Sequence, residues 1–333
     1  MRLLLLCALI LGAGCDTEPE LPTVASPWTK QAEPVWTGDI IASDPSVVRD
    51  DDSYRMCYTC LDPATDRTAI CGAGSSDGIT WAHSPDRGTP TGLLIRGQPG
   101  TPEASVEGCE LVKRDDEWLL YYSGYPEAGS PTPGFPASLY LASSTDGITF
   151  EREGIVLDRS AGGRDNDAVY SPTILDQDGT LSMVYTGHCY SGCRRGDGVV
   201  LLAATSTDGR TWTKASAPVL TPDESISWTT NGIGEAALFP DGSDGLALLV
   251  TGGLGDDETQ RIGLARASSL EGPWTLALNP VLTPTPGAFD AAGVLAPSVL
   301  VEGDRARAWF FGLSENGAYA IGVADTSYPL STP

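Results

Sequence analysis

Five times along the chain a short apolar run meets a polar turn, a second apolar run follows, and the pair ends on a Tyr-Thr-Gly-like sequence. The first three copies are Pro45-Ser46-Val47-Val48 with Tyr58-Thr59, Leu111-Val112 with Tyr122-Ser123-Gly124, and Pro172-Thr173-Ile174-Leu175 with Tyr185-Thr186-Gly187. Ala237-Leu238-Phe239 with Val250-Thr251-Gly252, and Pro297-Ser298-Val299-Leu300 with Phe310-Phe311-Gly312, complete the set. Runs this short, rich in β-branched and aromatic residues and bounded by turn formers, predict strands rather than helices. The first run of each copy is almost wholly apolar. That predicts a strand buried on both faces, and so the innermost strand of its unit.

A second signal follows each pair. Ser76-Asp77-Gly78-Ile79-Thr80-Trp81 returns as Thr145-Asp146-Gly147-Ile148-Thr149-Phe150 and as Thr207-Asp208-Gly209-Arg210-Thr211-Trp212, with a weaker copy at Leu270-Glu271-Gly272-Pro273-Trp274. Asp-Gly suits a tight turn because Gly accepts a positive φ, and the aromatic then opens an outer strand. Repeats spaced roughly 50–70 residues apart fit propeller blades with long loops. The prediction is an all-β, five-bladed β-propeller with four strands per blade. The fifth copy stops after Tyr319–Asp325 without its outer aromatic strand, whereas Pro27-Trp28-Thr29-Lys30 and Pro34-Val35 match the missing piece. The N-terminal strand is therefore expected to close the last blade, which also covers an exposed strand edge.

Composition narrows the partners. The 333 residues carry 44 Asp plus Glu against 20 Lys plus Arg, a formal net charge of −24. Such a chain repels nucleic-acid phosphates, so nucleic acid is excluded as a partner. It also repels anionic lipid, so attachment to a membrane requires a covalent anchor. Met1-Arg2 followed by an apolar run over Leu3–Leu11 reads as an export signal, too short to span a bilayer. Gly12-Ala13-Gly14-Cys15 resembles a bacterial lipobox, although Gly12 stands where a Leu is usual. The expected division is a signal peptide over 1–14, a lipid-anchored acidic, Pro-rich tether over 15–26 starting at Cys15, and one propeller domain over 27–333. The protein is expected on the bacterial cell envelope as a monomeric, membrane-anchored lipoprotein. Besides Cys7 in the leader and Cys15, six cysteines suit an oxidising compartment. Cys60 with Cys71 and Cys189 with Cys193 are the expected disulfides, leaving Cys57 with Cys109 as a pair between blades one and two. No metal or cofactor is expected, since Cys189, Cys193 and His188 are too few to hold zinc.

In a propeller the loops leading into inner strands and those leaving second strands share the face at the channel mouth. The Asp-rich turns between the first and second strands lie on the other face and read as turn formers. Aligning the five copies puts Asp44 and Glu235 at one register position, with Gly108, Tyr170 and Ala296 in the other blades. Glu107 stands one residue before its register point, Asp167 three before and Asp290 six before. Carboxylates converging on a watery channel mouth suit general acid–base chemistry. Trp36, Tyr125, Tyr170, Tyr190 and Trp228 fall in the same face loops, where sugar rings stack on aromatics, and His188 ends a second strand there as a hydrogen-bonding candidate. His83 reads as structural.

At Ser43-Asp44-Pro45-Ser46-Val47-Val48, with the Ser-x-Asp-Gly-x-x-Trp turns, the sequence resembles the five-bladed glycosidases of glycoside hydrolase family 43 and its relatives, including family 32, which act on arabinans, xylans and fructans. The resemblance covers the whole chain after the tether. It implies that Asp44 is the general base. The family's blade-two Asp, which tunes the acid, has only Glu107 as a neighbour here, with Gly108 in its place. The family's blade-three Glu, the general acid, is replaced by Tyr170, with Asp167 nearby. The resemblance implies a polysaccharide or oligosaccharide hydrolase working by inversion with Asp44 as base; the acid is then expected at Glu235, from its shared register, although the family has no acid in that blade, or at Asp167. Glu107, Tyr170, His188, Tyr190, Trp228, Trp36 and Asp290 would contact the sugar. A non-catalytic carbohydrate-binding lipoprotein on the same scaffold is the alternative.

Overall fold

The computed structural model describes residues 28–85, 91–126, 136–189, 198–242, 245–254 and 259–330. The expectations on Cys15, the signal and tether, Tyr190 and Cys193 lie outside those residues. Five antiparallel sheets form the blades. Blade one runs outward from Ser43–Asp50 through Ser53–Asp62 and Arg67–Ser75 to Trp81–His83, and Leu93–Arg96 also pairs with its third strand. Blade two is Ser105–Arg114, Glu117–Tyr125, Ser138–Ser144 and Glu151–Leu157. Blade three is Ala168–Gln177, Thr180–His188, Val199–Ser206 and Thr213–Lys214. Blade four is Ile233–Pro240, Leu246–Gly252, Arg261–Ala267 and Thr275–Leu276. Blade five is Gly293–Glu302, Arg305–Leu313 and Tyr319–Ser327, completed by Thr29–Lys30 from the other end of the chain. Each inner strand packs on the next and the fifth on the first, so the ring is closed.

The closing strand arrives as expected. Thr29 pairs with Asp325 and Lys30 with Ala324, and Trp36 bridges Ile321. Trp28 sits buried among Leu282, Phe310 and Ala324 in the apolar layer between blades four and five. Comparable layers lie between every other neighbouring pair of blades. The most enclosed strands are the second and third of each blade, such as Leu246–Gly252, which is buried throughout. The inner strands are only partly enclosed, contrary to the sequence expectation. Their apolar side chains line the propeller channel, where a cavity of about 230 Å³ remains among residues such as Val47, Leu111, Ile174, Leu238 and Val299.

The Asp-Gly turns are built alike three times. Ser75, Ser144 and Ser206 accept the Asp and Gly amides that follow, and Asp77, Asp146 and Asp208 each accept two further amides. Those amide donors hold Asp77 and Asp146 down at about 2, as charge-assisted bonds do. The Gly carbonyls then join blades: Gly78 accepts the Trp309 indole and Gly209 the Tyr121 hydroxyl. A Cβ at Gly209, where φ is +74°, would lie 2.7 Å from that hydroxyl oxygen. Disulfides Cys60–Cys71 and Cys57–Cys109 both form, the second tying blade one to blade two.

Candidate active site

One backbone device shapes the channel mouth. Each inner strand carries a bulge at the same register, and the bulged residue has a positive φ: Asp44 at 50°, Gly108 at 57°, Ser171 at 44°, Glu235 at 43° and Ala296 at 44°. Non-glycine residues rarely adopt that region, and bulges re-aim side chains. Because Ala296 and Ser171 adopt it too, the strain belongs to the scaffold, and the side chains decide the chemistry. The blade-three member is Ser171 rather than Tyr170. The bulged residue is followed by Pro45, Pro172 and Pro297 in blades one, three and five, and in blade three this sets the register one residue later than the sequence expectation.

The Tyr-Thr-Gly pattern has its explanation here. Thr59, Ser123, Thr186 and Thr251 each end a second strand, and their hydroxyls accept the bulge amides of the next blade at Gly108, Ser171, Glu235 and Ala296, at 3.0, 3.1, 2.8 and 3.0 Å. A second tier of ties lies further along the inner strands, where Ser46, Thr173 and Ser298 accept the amides of Leu111, Leu238 and Val47. In blade two this tier is a carboxylate: Glu110 accepts the Ile174 amide at 2.7 Å.

Asp44, Glu107 and Glu235 gather at the mouth, and Asp44, Gly108, Glu110, Ser171, Glu235 and Ala296 ring one pocket. Burial raises Asp44 above the usual carboxylate range, against hydrogen bonds from Thr59 and from Ser43, the latter at 3.0 Å, which favour its ionised form. Burial first, and then the Asp44 charge, pushes Glu107 up to about 7 against a hydrogen bond from Tyr125. Glu235 is pushed up to about 8, by burial and then by Asp44 and Glu107. Its Oε2 is buried and has no hydrogen-bond partner among the described residues. Of the two, Asp44 is thus the one whose hydrogen-bond donors suit a charged form, and Glu235 the one left to keep its proton.

Glu110, deeper in the channel, is raised to about 7 by burial. Its folded form binds the proton more tightly than the unfolded chain, so stability is full below about pH 4.5 and is lost as pH climbs through about 7. At about 1.4 kcal/mol per tenfold change in proton affinity, the loss is on the order of 3 kcal/mol. Glu110→Gln keeps the acceptor for Ile174, and should unfold several degrees higher than wild type at pH 8 but not at pH 5. Equal melting shifts at both pH values would contradict this. Among the described residues, no group of three or more His, Cys, Asp or Glu side chains is placed to hold a metal ion.

Other expected site residues do not line this pocket. Asp167 donates its amide to the His188 carbonyl and stands beside that ring, away from the carboxylate pocket. Tyr170 bonds the His188 ring, and burial holds His188 down at about 3, so it stays neutral. Tyr170 is buried in one cluster with Tyr125, the residue whose hydroxyl bonds Glu107. Trp36 packs edge-on to Tyr58 and His83 between the closing strand and blade one.

Two expectations are corrected. Trp228 is 3% exposed, lies against Gly252 and Gly263 and donates to the Leu278 carbonyl. It fills blade four and presents no ring to the channel. Asp290 is buried in an ion pair with Lys30 and accepts the Thr285 amide, tying the closing strand to the loop before blade five's inner strand. Lys214 with Asp165, and Arg152 with Glu103, make the matching ties in blades three and two. Glu110 and these ties escaped the sequence reading, though the Ser, Thr and Ser at positions 46, 173 and 298 mark Glu110 as the odd member of its tier.

Comparison with known proteins agrees with the architecture. Residues 109–231 match the Glycosyl hydrolases family 32 N-terminal domain. The chain is 33% identical over 121 residues to a raffinose invertase of Escherichia coli, covering 34% of this chain and spanning about a quarter (25%) of the invertase. Neither Asp44 nor Glu107 nor Glu235 falls in the family match. Among solved structures, an α-L-arabinofuranosidase from Lactobacillus brevis superposes with a TM-score of 0.65 at 16% identity, covering 86% of this chain and 90% of that one. A thermostable family-43 glycoside hydrolase gives 0.65 at 16%, covering 89% and 97%. An N-acetylgalactosamine deacetylase from F. plautii, in complex with blood group B trisaccharide, gives 0.68 at 17%, covering 91% and 96%. These likenesses are of fold: the chain is a five-bladed β-propeller similar to those glycoside hydrolases, with a family 32 match over residues 109–231.

Proposed function

We propose that the protein hydrolyses glycosidic bonds of an oligosaccharide or polysaccharide with inversion, Asp44 activating water and Glu235 protonating the leaving oxygen. The observation that carries this is the division of proton affinity at the mouth: two hydroxyl donors on Asp44, and none from a side chain on Glu235. Environments that push two carboxyls apart assign base and acid. Blades one and four are not neighbours in the ring, so their carboxyls face one another across the mouth. Inversion requires a gap of about 6.5–9.5 Å between the two groups to admit water.

The pH dependence follows. Activity needs Glu235 protonated, so kcat/KM should fall on the alkaline side near pH 8. Glu107→Gln removes a negative neighbour, Glu235 then loses its proton more easily, and that limb should move to lower pH. An unmoved alkaline limb in Glu107→Gln would remove Glu107 from the site. The substrates to try are raffinose, levan, arabinan and xylan, scored for both released reducing sugar and retention; retention without release at any pH would favour the binding-protein alternative.

The site of action we propose is the bacterial cell envelope, reached by export and held by lipid on Cys15. Support comes from the apolar leader and from two disulfides that persist in oxidising compartments. Mass spectrometry of the processed protein should find diacylglycerol on Cys15; an unmodified N terminus beyond Cys15 would make the protein simply secreted.

A further inference from the structure

The hydroxyl tier at the channel mouth is broken in blade five. Where the other blades end their second strands on Thr59, Ser123, Thr186 and Thr251, this one has Phe311, which offers no acceptor to the next bulge. The next bulge is that of Asp44. Phe311 shares its side of the strand with Trp309, whose ring packs on Tyr54 and Trp81 of blade one, so it faces the blade that carries Asp44. The strands Arg305–Leu313 and Tyr319–Ser327 both pack on Ser43–Asp50. Phe311 is half-buried, and the Tyr319 ring meets it edge-on, with centroids 5.0 Å apart and planes at 71°. Tyr319 is itself 37% exposed, one of the few large hydrophobic side chains left open among the described residues.

We propose that Phe311 and Tyr319 form a stacking subsite for a neutral sugar ring, next to the sugar whose bond lies over Asp44. The proposal rests on the reading that the mouth takes a glycan. Two rings set at a steep angle make a step that covers the apolar C–H face of a pyranose or furanose and leaves its hydroxyls free. The charge carried by Asp44 and Glu107 selects against an anionic ring, because a uronate would add a further negative charge beside them and the chain as a whole is strongly acidic. A Thr here would have served the scaffold as it does in three other blades. The Phe gives up that amide tie and offers apolar surface at the one bulge that bears the proposed base.

The test is affinity electrophoresis of the full protein through gels containing levan, arabinan, xylan, mannan or polygalacturonate. Wild type should be retarded by at least one neutral polymer and not by polygalacturonate. Tyr319→Ala should weaken that retardation about tenfold or more, whereas Tyr319→Phe, which keeps the ring, should retain it. Tyr319 is chosen because it is exposed, so its loss leaves the core intact. No retardation of wild type in any neutral gel, retardation by polygalacturonate alone, or full retardation of Tyr319→Ala would each overturn the subsite. The hydrolase reading fails separately: wild type that is retarded by a neutral glycan yet releases no sugar from it at any pH would end that reading and leave the subsite standing.

Discussion

Asp44→Asn is expected to cut turnover of any glycan the protein cleaves by about 10²–10⁴-fold, the usual contribution of a positioned base, with glycan binding largely kept. The substitution isolates the chemistry. Asn tolerates the left-handed backbone that Asp44 occupies at φ 50°, and its carbonyl still accepts from Ser43. It cannot take a proton from water. Glu235→Gln should cost a similar factor for the opposite reason, since the amide has no acidic proton to deliver. Thermal unfolding of Glu235→Gln should match wild type at pH 5, where the Glu235 carboxyl is protonated. Full activity in both variants would refute the assignment of base and acid.

The second large effect concerns the fold. Removing residues 28–36 should leave the propeller without a cooperative unfolding transition near that of wild type. The segment supplies the outer strand of blade five, the buried Trp28, and Lys30, which pairs with buried Asp290. Losing it uncovers the edge of Tyr319–Ser327 and strands a buried carboxylate, which is expensive without its partner. Trp28→Ala alone should cost about 3–5 kcal/mol, a sizeable part of the roughly 5–15 kcal/mol that holds most domains folded. Urea unfolding measures both. A deletion variant with the wild-type midpoint would mean that the ring does not depend on this closure.

The architecture was legible because it repeats. Three Ser-x-Asp-Gly turns of one construction and a Trp displaced to the N terminus leave little else for the chain to be. Asp44 and Glu235 were legible for the same reason, as acids in one register. What stayed hidden depends on departures from the pattern that only three dimensions reveal. Ser171 was placed one residue off because a bulge has no regular pairing to count along, although Pro172 already marked it. Trp228 resembled a sugar-binding aromatic until Gly252 and Gly263 were seen to leave the space that its ring occupies. Asp290 resembled a mouth acid because its partner Lys30 lies 260 residues away and meets it only when the ring closes. Glu107 looked secondary, since one register step from the bulge does not say that its carboxyl feels both Asp44 and Glu235.

The account's central claim is that the mouth carboxyls cleave glycosidic bonds by a single displacement, and proton NMR of the reaction as it proceeds tests it most directly. Raffinose, levan, arabinan and xylan would each be incubated with wild type at pH 6, below the expected loss of the Glu235 proton. The account predicts that at least one gives a new reducing-end signal whose first-formed anomer has the configuration opposite to the bond cleaved. No new reducing-end signal from any of them, or a first-formed anomer of retained configuration, would contradict it.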